Sequence, residues 1–260
     1  MTVSLNFDAP FLEGRTVIVT GASAGVGAHV VRLLARRGAK LGLIARSEDK
    51  LRALADEIEA GDGRALPVAA DVADPVQIAQ AVDTVADELG APAALINNAG
   101  VASVQDALKL PPEEWQRILS TNLSGAWYAA QAVARRMADH GAGGSIVNIS
   151  SVLASRGAVG LHSYCASKAG LEQMTKVLAL EWGPLGIRVN ALAPGYLMTD
   201  MARDFLTSPA AEPMYARIPN GRAGEPEDLD GPLLLLVSDA SRHMTGTVIP
   251  VDGGHAVSSI

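Results

Sequence analysis

Tyr164 and Lys168 stand four residues apart, so on a helix they share a face and an ammonium can sit near a phenol. A phenol titrating near pH ~10 is a poor proton donor or acceptor at neutral pH, and a close cation lowers that value by stabilising phenolate. Ser151 precedes the tyrosine by thirteen residues and offers a hydroxyl to a substrate oxygen on which charge develops. Together the three suit proton transfer to or from a carbonyl oxygen while a hydride moves at the adjacent carbon. The same residues also fit a partly buried tyrosine with a satisfied hydroxyl and a surface lysine on one helix.

A hydride carrier needs a binding loop, and the stretch Arg15 to Gly27, RTVIVTGASAGVG, has the makings of one. Thr16 to Val19 is a β-branched, apolar run suited to a buried parallel strand; Thr20-Gly21 breaks it, and Val26, Val30, Leu33 and Leu34 recur at helical spacing. Gly21 allows a tight turn, Gly25 lets the backbone approach an anion, and Gly27 allows close contact between helix and strand. The helix start presents free N–H groups to a pyrophosphate. The spacing departs from G-x-G-x-x-G, and a glycine-rich turn without a ligand reads the same way in isolation.

The remaining elements alternate strand and helix. Strands are expected at Ala39–Ala45, Ala65–Ala70, Ala93–Asn97, Ser145–Ile149, Ile187–Ala191 and Thr247–Val251. Helices are expected at Glu48–Ala60, Pro75–Leu89, Pro112 to about His140 as one long helix, Ser163–Trp182 and Pro226–Val237. Repeated β-α units of this length imply an α/β fold: one Rossmann-like, doubly wound parallel sheet with helices on both faces, spanning 1–260 as a single domain. An irregular excursion covers about 195–225, and residues 1–14 form a lead-in with Phe7, Phe11 and Leu12 as anchors. Function belongs beyond the carboxyl ends of the strands. The polar or glycine-rich residues there are Arg46, Asp71, Asn97-Asn98-Ala99-Gly100, Ser150-Ser151 and Pro194-Gly195.

Composition narrows the class. The 260 residues suffice for one large core, and 48% hydrophobic residues with Gly 26 and Pro 14 describe a globular chain. A net charge of −7 lacks the basic footprint that nucleic acid requires. The apolar stretches are too short to span a bilayer, and the first residues lack a basic segment followed by an apolar run, so a cytoplasmic location is the default expectation. The one cysteine, Cys165, reads as a small residue packed behind its helix, and no Asp, Glu and His cluster has metal-ligand spacing.

From about Leu12 to Gly254 the chain resembles the short-chain dehydrogenase/reductase family. Thr20-Gly21-Ala22-Ser23-Ala24-Gly25-Val26-Gly27 matches its TGxxxGxG loop, and Asn97-Asn98-Ala99-Gly100 its NNAG segment. Ser151 and Tyr164-Cys165-Ala166-Ser167-Lys168 match its catalytic serine and YxxxK pair; Asn122 matches the asparagine of its tetrad. Val189-Asn190-Ala191, Pro194-Gly195-Tyr196-Leu197-Met198-Thr199 and Val251-Asp252-Gly253-Gly254 extend the match.

The resemblance implies an oxidoreductase with Tyr164 as acid/base, Lys168 lowering its pKa and binding nicotinamide-ribose hydroxyls, and Ser151 positioning the carbonyl or alcohol oxygen. Asn122 would distort its helix to hold a water in a proton relay reaching Lys168. Asp71 would bond the adenine amino group, Val72 cover its ring, and Asn98 pack near the adenosine ribose, with Ser23, Ala24, Val26, Ala99 and Gly100 bordering the cofactor. Thr199, Leu197 and the backbone after Pro194-Gly195 would hold the carboxamide, and Tyr196 would join Ser151 and Tyr164 against substrate; His162, two residues before Tyr164, stands either at the pocket edge against substrate or as a surface histidine at the helix start. Met198, Met201, Phe205, Leu206, Met214 and Tyr215 would form a lid over an apolar group.

Cofactor choice is read at the end of the second strand. Ala45 stands where NAD(H) enzymes commonly place a carboxylate; Arg46 offers a fork of donors for a 2′-phosphate and Ser47 a hydroxyl, so NADP(H) is the preferred cofactor. Ala24 supplies no second basic residue in the glycine loop, so NAD(H) stays possible. The substrate is expected to be a small-molecule ketone or secondary alcohol. Gly221 to Asp228 resembles gluconate-type members and keeps a polyol or sugar-acid dehydrogenase open. A 3-oxoacyl-carrier-protein reductase loses ground because 141–144 and 183–186 lack the arginines expected for an acidic carrier, although Arg135 and Arg136 could substitute. A non-catalytic nucleotide-binding protein is disfavoured by the complete Asn-Ser-Tyr-Lys set. Members of this kind usually form tetramers, pairing helices 112–140 and 163–182 across one interface and the last helix and strand across another. Trp127, Tyr128, Ala129, Ala130, Val133, Met137, Leu171, Met174, Leu178 and Trp182 offer apolar surface for such a homo-oligomer.

Overall fold

The computed structural model describes residues 11–258, and within them not the side chains of Asp200 and Met201; the expected Phe7 anchor and the Met201 contribution lie outside the described residues. The chain runs β1 (Thr16–Thr20), α1 (Gly25–Ala35), β2 (Lys40–Ala45), α2 (Glu48–Glu59), β3 (Arg64–Ala69), α3 (Pro75–Leu89) and β4 (Pro92–Asn97). It continues through α4 (Pro112–Leu119), α5 (Gly125–His140), β5 (Gly144–Ile149), α6 (His162–Trp182) and β6 (Ile187–Pro194). The last elements are α7 (Asp200–Leu206), α8 (Glu212–Tyr215), α9 (Asp230–Val237) and β7 (Val248–Val251). The seven strands form one parallel sheet in the order β3-β2-β1-β4-β5-β6-β7. Strand order therefore reverses between β1 and β4, and a crevice opens there at the carboxyl ends.

The pleat divides the core. On β1, Val17 and Val19 face one apolar layer with Val30, Leu33, Leu51 and Leu233, while Ile18 faces the other with Val82, Val133, Ile146 and Leu178. Successive side chains point to opposite faces, so a strand covered on both sides must be apolar throughout; β1 is buried at every position. Phe11 and Leu12 do pack on this core, Leu12 at 1% exposure.

Two elements differ from expectation. The helix expected over 112–140 is broken by a π-helical turn, Ser120–Ser124, that separates α4 from α5. Its cause is Asn122, fully buried, whose amide turns outward from the helix to bond the backbone of Val101. β6 continues past Ala191 to Pro194, which ends the ladder because it lacks an N–H. Helix α3 is capped as the sequence allows: Asp74 accepts from the N–H groups of Val76 and Gln77, with Pro75 at the first helical position.

Candidate active site

The glycine turn folds tightly. Gly21 and Gly25 have positive φ values of +64° and +52°. A Cβ on Gly27 would lie 2.1 Å from the Gly21 carbonyl oxygen and 2.6 Å from Asn98 Nδ2, so only glycine lets α1 close on the turn. Asn98 fastens that turn, donating from Nδ2 to the carbonyls of Thr20 at 3.2 Å and Gly21 at 3.1 Å. Thr20 Oγ1 accepts from the N–H groups of Asn98 and Ala99 and ties β1 to the end of β4.

Beside this turn runs a groove of about 380 Å³ lined by Ser23, Gly25, Arg46, Asp71, Asn98 and Thr199, among others. Gly21, Ala24, Val26, Ser47, Val72, Ala99 and Gly100 also line it, so most residues expected around a cofactor meet here. The groove's residues fit a dinucleotide. The first turn of α1 has no side-chain cap, leaving its N–H groups open to an anion, and a Cβ on Gly25 would find only Thr199 Cγ2 at 4.0 Å. Asp71 uses Oδ1 to accept from the Ala73 N–H, a bond that holds its carboxylate in the groove wall. Arg46 is exposed and has no hydrogen bond or ion pair among the described residues, leaving its guanidinium free for a ligand phosphate.

Val26, Asn98, Gly100, Val101 and Thr199 also line a second cavity of about 320 Å³, which contains Ser151, Tyr164, Lys168, Pro194, Gly195, Tyr196 and Leu197. Ser151 ends a bend after β5, where its Oγ accepts from Leu153 N–H at 3.1 Å. Burial pushes the Tyr164 phenol up, and a hydrogen bond with Ser151 offsets this in part. Lys168 is 4% exposed and donates from Nζ to the Ile149 carbonyl at 2.7 Å; burial pulls it from 10.5 to about 8. The ammonium stands 5.7 Å from the centre of the Tyr164 ring. Desolvation is the largest influence on both groups, and the Lys168 ammonium bonds a backbone carbonyl.

Asn122 reaches the same cavity wall through the π turn. Its Oδ1 accepts from Val101 N–H at 2.8 Å, and its Nδ2 donates to Val101 O at 2.9 Å and Ser167 Oγ at 3.1 Å. Ser167 in turn donates to the Tyr164 carbonyl at 2.7 Å, one turn back on α6. A methyl on Gly100 would stand 3.6 Å from both Asn122 Oδ1 and Lys168 Nζ, so these two groups flank one point. Behind them is a buried support that the sequence reading passed over. Asn97 donates to Asn148 at 3.0 Å, Asn148 to Thr175 at 2.8 Å, and Ser150 to Glu172 at 2.8 Å. The adjacent serines at 150 and 151 were the available signal; pairings 22 to 51 residues apart carry none.

Other expected residues are placed differently. His162 starts α6 but is absent from the cavity lining; its Nδ1 accepts from Ser163 N–H at 3.0 Å, and its Nε2 is buried without a partner. From the excursion, Tyr196, Leu197, Thr199 and Ala202 line the cavity, whereas Met198, Phe205, Leu206, Met214 and Tyr215 do not. The excursion is instead closed on itself, by the Leu197–Gly224 bridge and by Tyr215 donating to Leu206 O at 2.8 Å. The apolar surface expected to serve assembly is largely internal: Ala129, Ala130, Val133, Met137, Leu171 and Leu178 are all buried within this chain. Trp127, Val177 and Leu180 remain exposed on the two helices. Among the described residues no helix is long and apolar enough to cross a membrane, and no group of three His, Cys, Asp or Glu could hold a metal ion.

Comparison with known proteins agrees with this geometry. A family model described as "Enoyl-(Acyl carrier protein) reductase" matches residues 21–256. An L-rhamnose 1-dehydrogenase (NAD(P)(+)) from Azotobacter vinelandii is 41% identical over 248 residues, covering 94% of this chain and 97% of the relative. A 3-oxoacyl-[acyl-carrier-protein] reductase from Thermotoga maritima is 38% identical over 94% of this chain and 98% of its own. The crystal structure of a gluconate 5-dehydrogenase from Burkholderia cenocepacia in complex with NADP and tartrate superimposes with a TM-score of 0.92 at 33% identity, covering 97% and 99% of the two chains.

Proposed function

Because the chain belongs to the short-chain dehydrogenase/reductase family, we propose that it interconverts a small-molecule ketone and a secondary alcohol, with NADP(H) preferred over NAD(H). When bound, the nicotinamide supplies or accepts the hydride. The reading rests on one observation: Ser151, Tyr164 and Lys168 share a cavity that is continuous with a groove built for a dinucleotide. In reduction, Ser151 holds the substrate oxygen by hydrogen bond and Tyr164 gives it a proton; oxidation reverses both. A phenol that keeps its proton at neutral pH is in the form the reduction direction requires, and the bond with Ser151 opposes the burial that weakens it as an acid. Lys168, held by Ile149 O, faces the point that Asn122 also flanks, which supports a relay delivering the replacement proton.

The substrate end is walled by Val101, Ala102, Leu153, Leu161, Tyr196 and Leu197, which favours a moderately bulky carbonyl compound. A polyol or sugar acid is the second reading, supported by the L-rhamnose and gluconate relatives. Homo-oligomerisation through α5 and α6 is supported by the exposed Trp127, Val177 and Leu180. NADP(H) preference is supported by the free Arg46 guanidinium at the end of β2, with Ala45 in place of a carboxylate. The ratio of kcat/KM for NADPH and NADH, taken across a panel of aryl and cyclic ketones, polyols and aldonic acids, tests both halves. Arg46→Asp is expected to move that ratio toward NADH. A parent enzyme that favours NADH, or a ratio unmoved by the substitution, defeats the cofactor reading.

A further inference from the structure

A cavity larger than the catalytic one lies elsewhere in the molecule. It measures about 860 Å³ and lies at the amino ends of the strands, lined by Thr16 of β1, Pro92 of β4, Gly144 of β5 and Ile187 of β6. Catalytic residues cluster at the opposite, carboxyl ends. At ~3.3 Å per residue along β1, roughly 16 Å of sheet separates Thr16 from the glycine turn, so a molecule in one site does not occupy the other.

Its charge is opposite to that of the chain. The net charge is −7, yet Arg15, Lys40, Arg188 and Arg242 line this cavity against a single carboxylate, Asp239. That carboxylate is already engaged. Arg15 binds it at 3.0 Å, and Arg15 first, then Arg188 and Arg242, hold its carboxyl below the usual range. Arg188 is half-buried and donates only to neutral oxygens, Ser241 Oγ at 2.7 Å and the Ser238 carbonyl at 3.1 Å. Among the described residues, the side chains of Lys40 and Arg242 have no hydrogen bond or ion pair. A half-buried guanidinium without a counter-charge of its own is costly, and a bound anion removes that cost. His140 and His243 add donors at the rim. Gly143 and Gly186 pack closely in the lining: a Cβ on Gly143 would meet the Gly186 carbonyl oxygen.

We propose that this cavity binds a small oxyanion bearing several negative charges, with Lys40, Arg188 and Arg242 as its cationic contacts. Phosphate-bearing and polycarboxylate molecules share that chemistry. The site is independent of the assigned reaction, since none of its residues lines the groove or the catalytic cavity.

Calorimetric titration tests it, with pyrophosphate and citrate as separate probes and the protein saturated with NADP(H) so that the glycine turn is filled. Binding of either probe is expected, weakening as NaCl is raised because the contacts are ionic. Tighter binding of pyrophosphate marks a phosphate-bearing ligand, and tighter binding of citrate a polycarboxylate. The double variant Lys40→Glu with Arg242→Glu, whose side chains make no internal bond, is expected to lose at least about tenfold in affinity. Lys109→Glu, at an exposed lysine that lines none of the three cavities, serves as the control and is expected to leave that affinity unchanged. Three results overturn the proposal: no binding of either probe, an affinity indifferent to salt in the wild type, or an affinity that the double variant leaves unchanged.

Discussion

Replacing Asn122 with Leu keeps the branched heavy-atom shape and removes three hydrogen bonds: from Val101 N–H, to Val101 O, and to Ser167 Oγ. The site is fully buried, so water does not replace them. At about 1 kcal/mol per bond the change costs about 3 kcal/mol. For a chain of this size each kcal/mol lowers the melting temperature by roughly 2–4 °C, which gives a fall of about 6–12 °C. Turnover should fall as well, because Ser167 bonds the Tyr164 carbonyl and the π turn no longer has a partner that holds it open. Asn122→Asp keeps an acceptor for Val101 N–H and is expected to lie between wild type and Leu in both readouts. Scanning calorimetry and steady-state turnover on the three proteins decide the matter. A Leu variant that melts within about 2 °C of wild type shows that the amide does not hold this turn, and the reasoning fails.

Gly27→Ala places a methyl 2.1 Å from the Gly21 oxygen and against the Asn98 amide that binds the turn; overpacking of this kind costs about 1–3 kcal/mol. Cofactor affinity, followed by fluorescence titration, is expected to drop with it, and an unchanged dissociation constant contradicts the close-approach argument. For Lys168, burial favours the neutral form, so the folded state has released this proton by about pH 8 while the unfolded chain keeps it to 10.5. The unfolded state binds more protons in that window, so wild-type stability relative to Lys168→Met should rise as pH goes from 8 toward 10. Denaturant titrations at several pH values check this; a relative stability that is flat or falling there refutes the buried, neutralised lysine.

The sheet and most helices were legible because their signals are local. The β-branched run at Thr16 to Val19, the helix start at Pro75 and the glycine turn each carry their structure within a few residues. The grouping of Ser151, Tyr164 and Lys168 around one cavity was legible through spacing, since Tyr164 and Lys168 share one helix and Ser151 lies on the loop before it. What local signals do not carry depends on distance. The distortion at Asn122 was expected from the resemblance alone, because its bond to Val101 spans 21 residues and nothing in the helical periodicity of 112–140 announces it. Ala129, Val133 and Leu178 looked like spare apolar surface because a pattern on α5 or α6 does not say how much of it the sheet and α3 cover. Spacing on a helix brings the Lys168 ammonium near Tyr164 but carries no signal of the burial of both groups or of the bond to the Ile149 carbonyl. The cationic cavity gathers Arg15, Lys40, Arg188 and Arg242 from four segments, and an overall charge of −7 conceals it.

The most direct test of the account is the turnover of Tyr164→Phe with the best ketone of the substrate panel and saturating NADPH. The substitution removes the one hydroxyl assigned as acid/base and leaves the ring in place. The account predicts a rate lower by roughly 10²–10⁴ with the fold and cofactor binding retained. Turnover close to that of the wild type contradicts it.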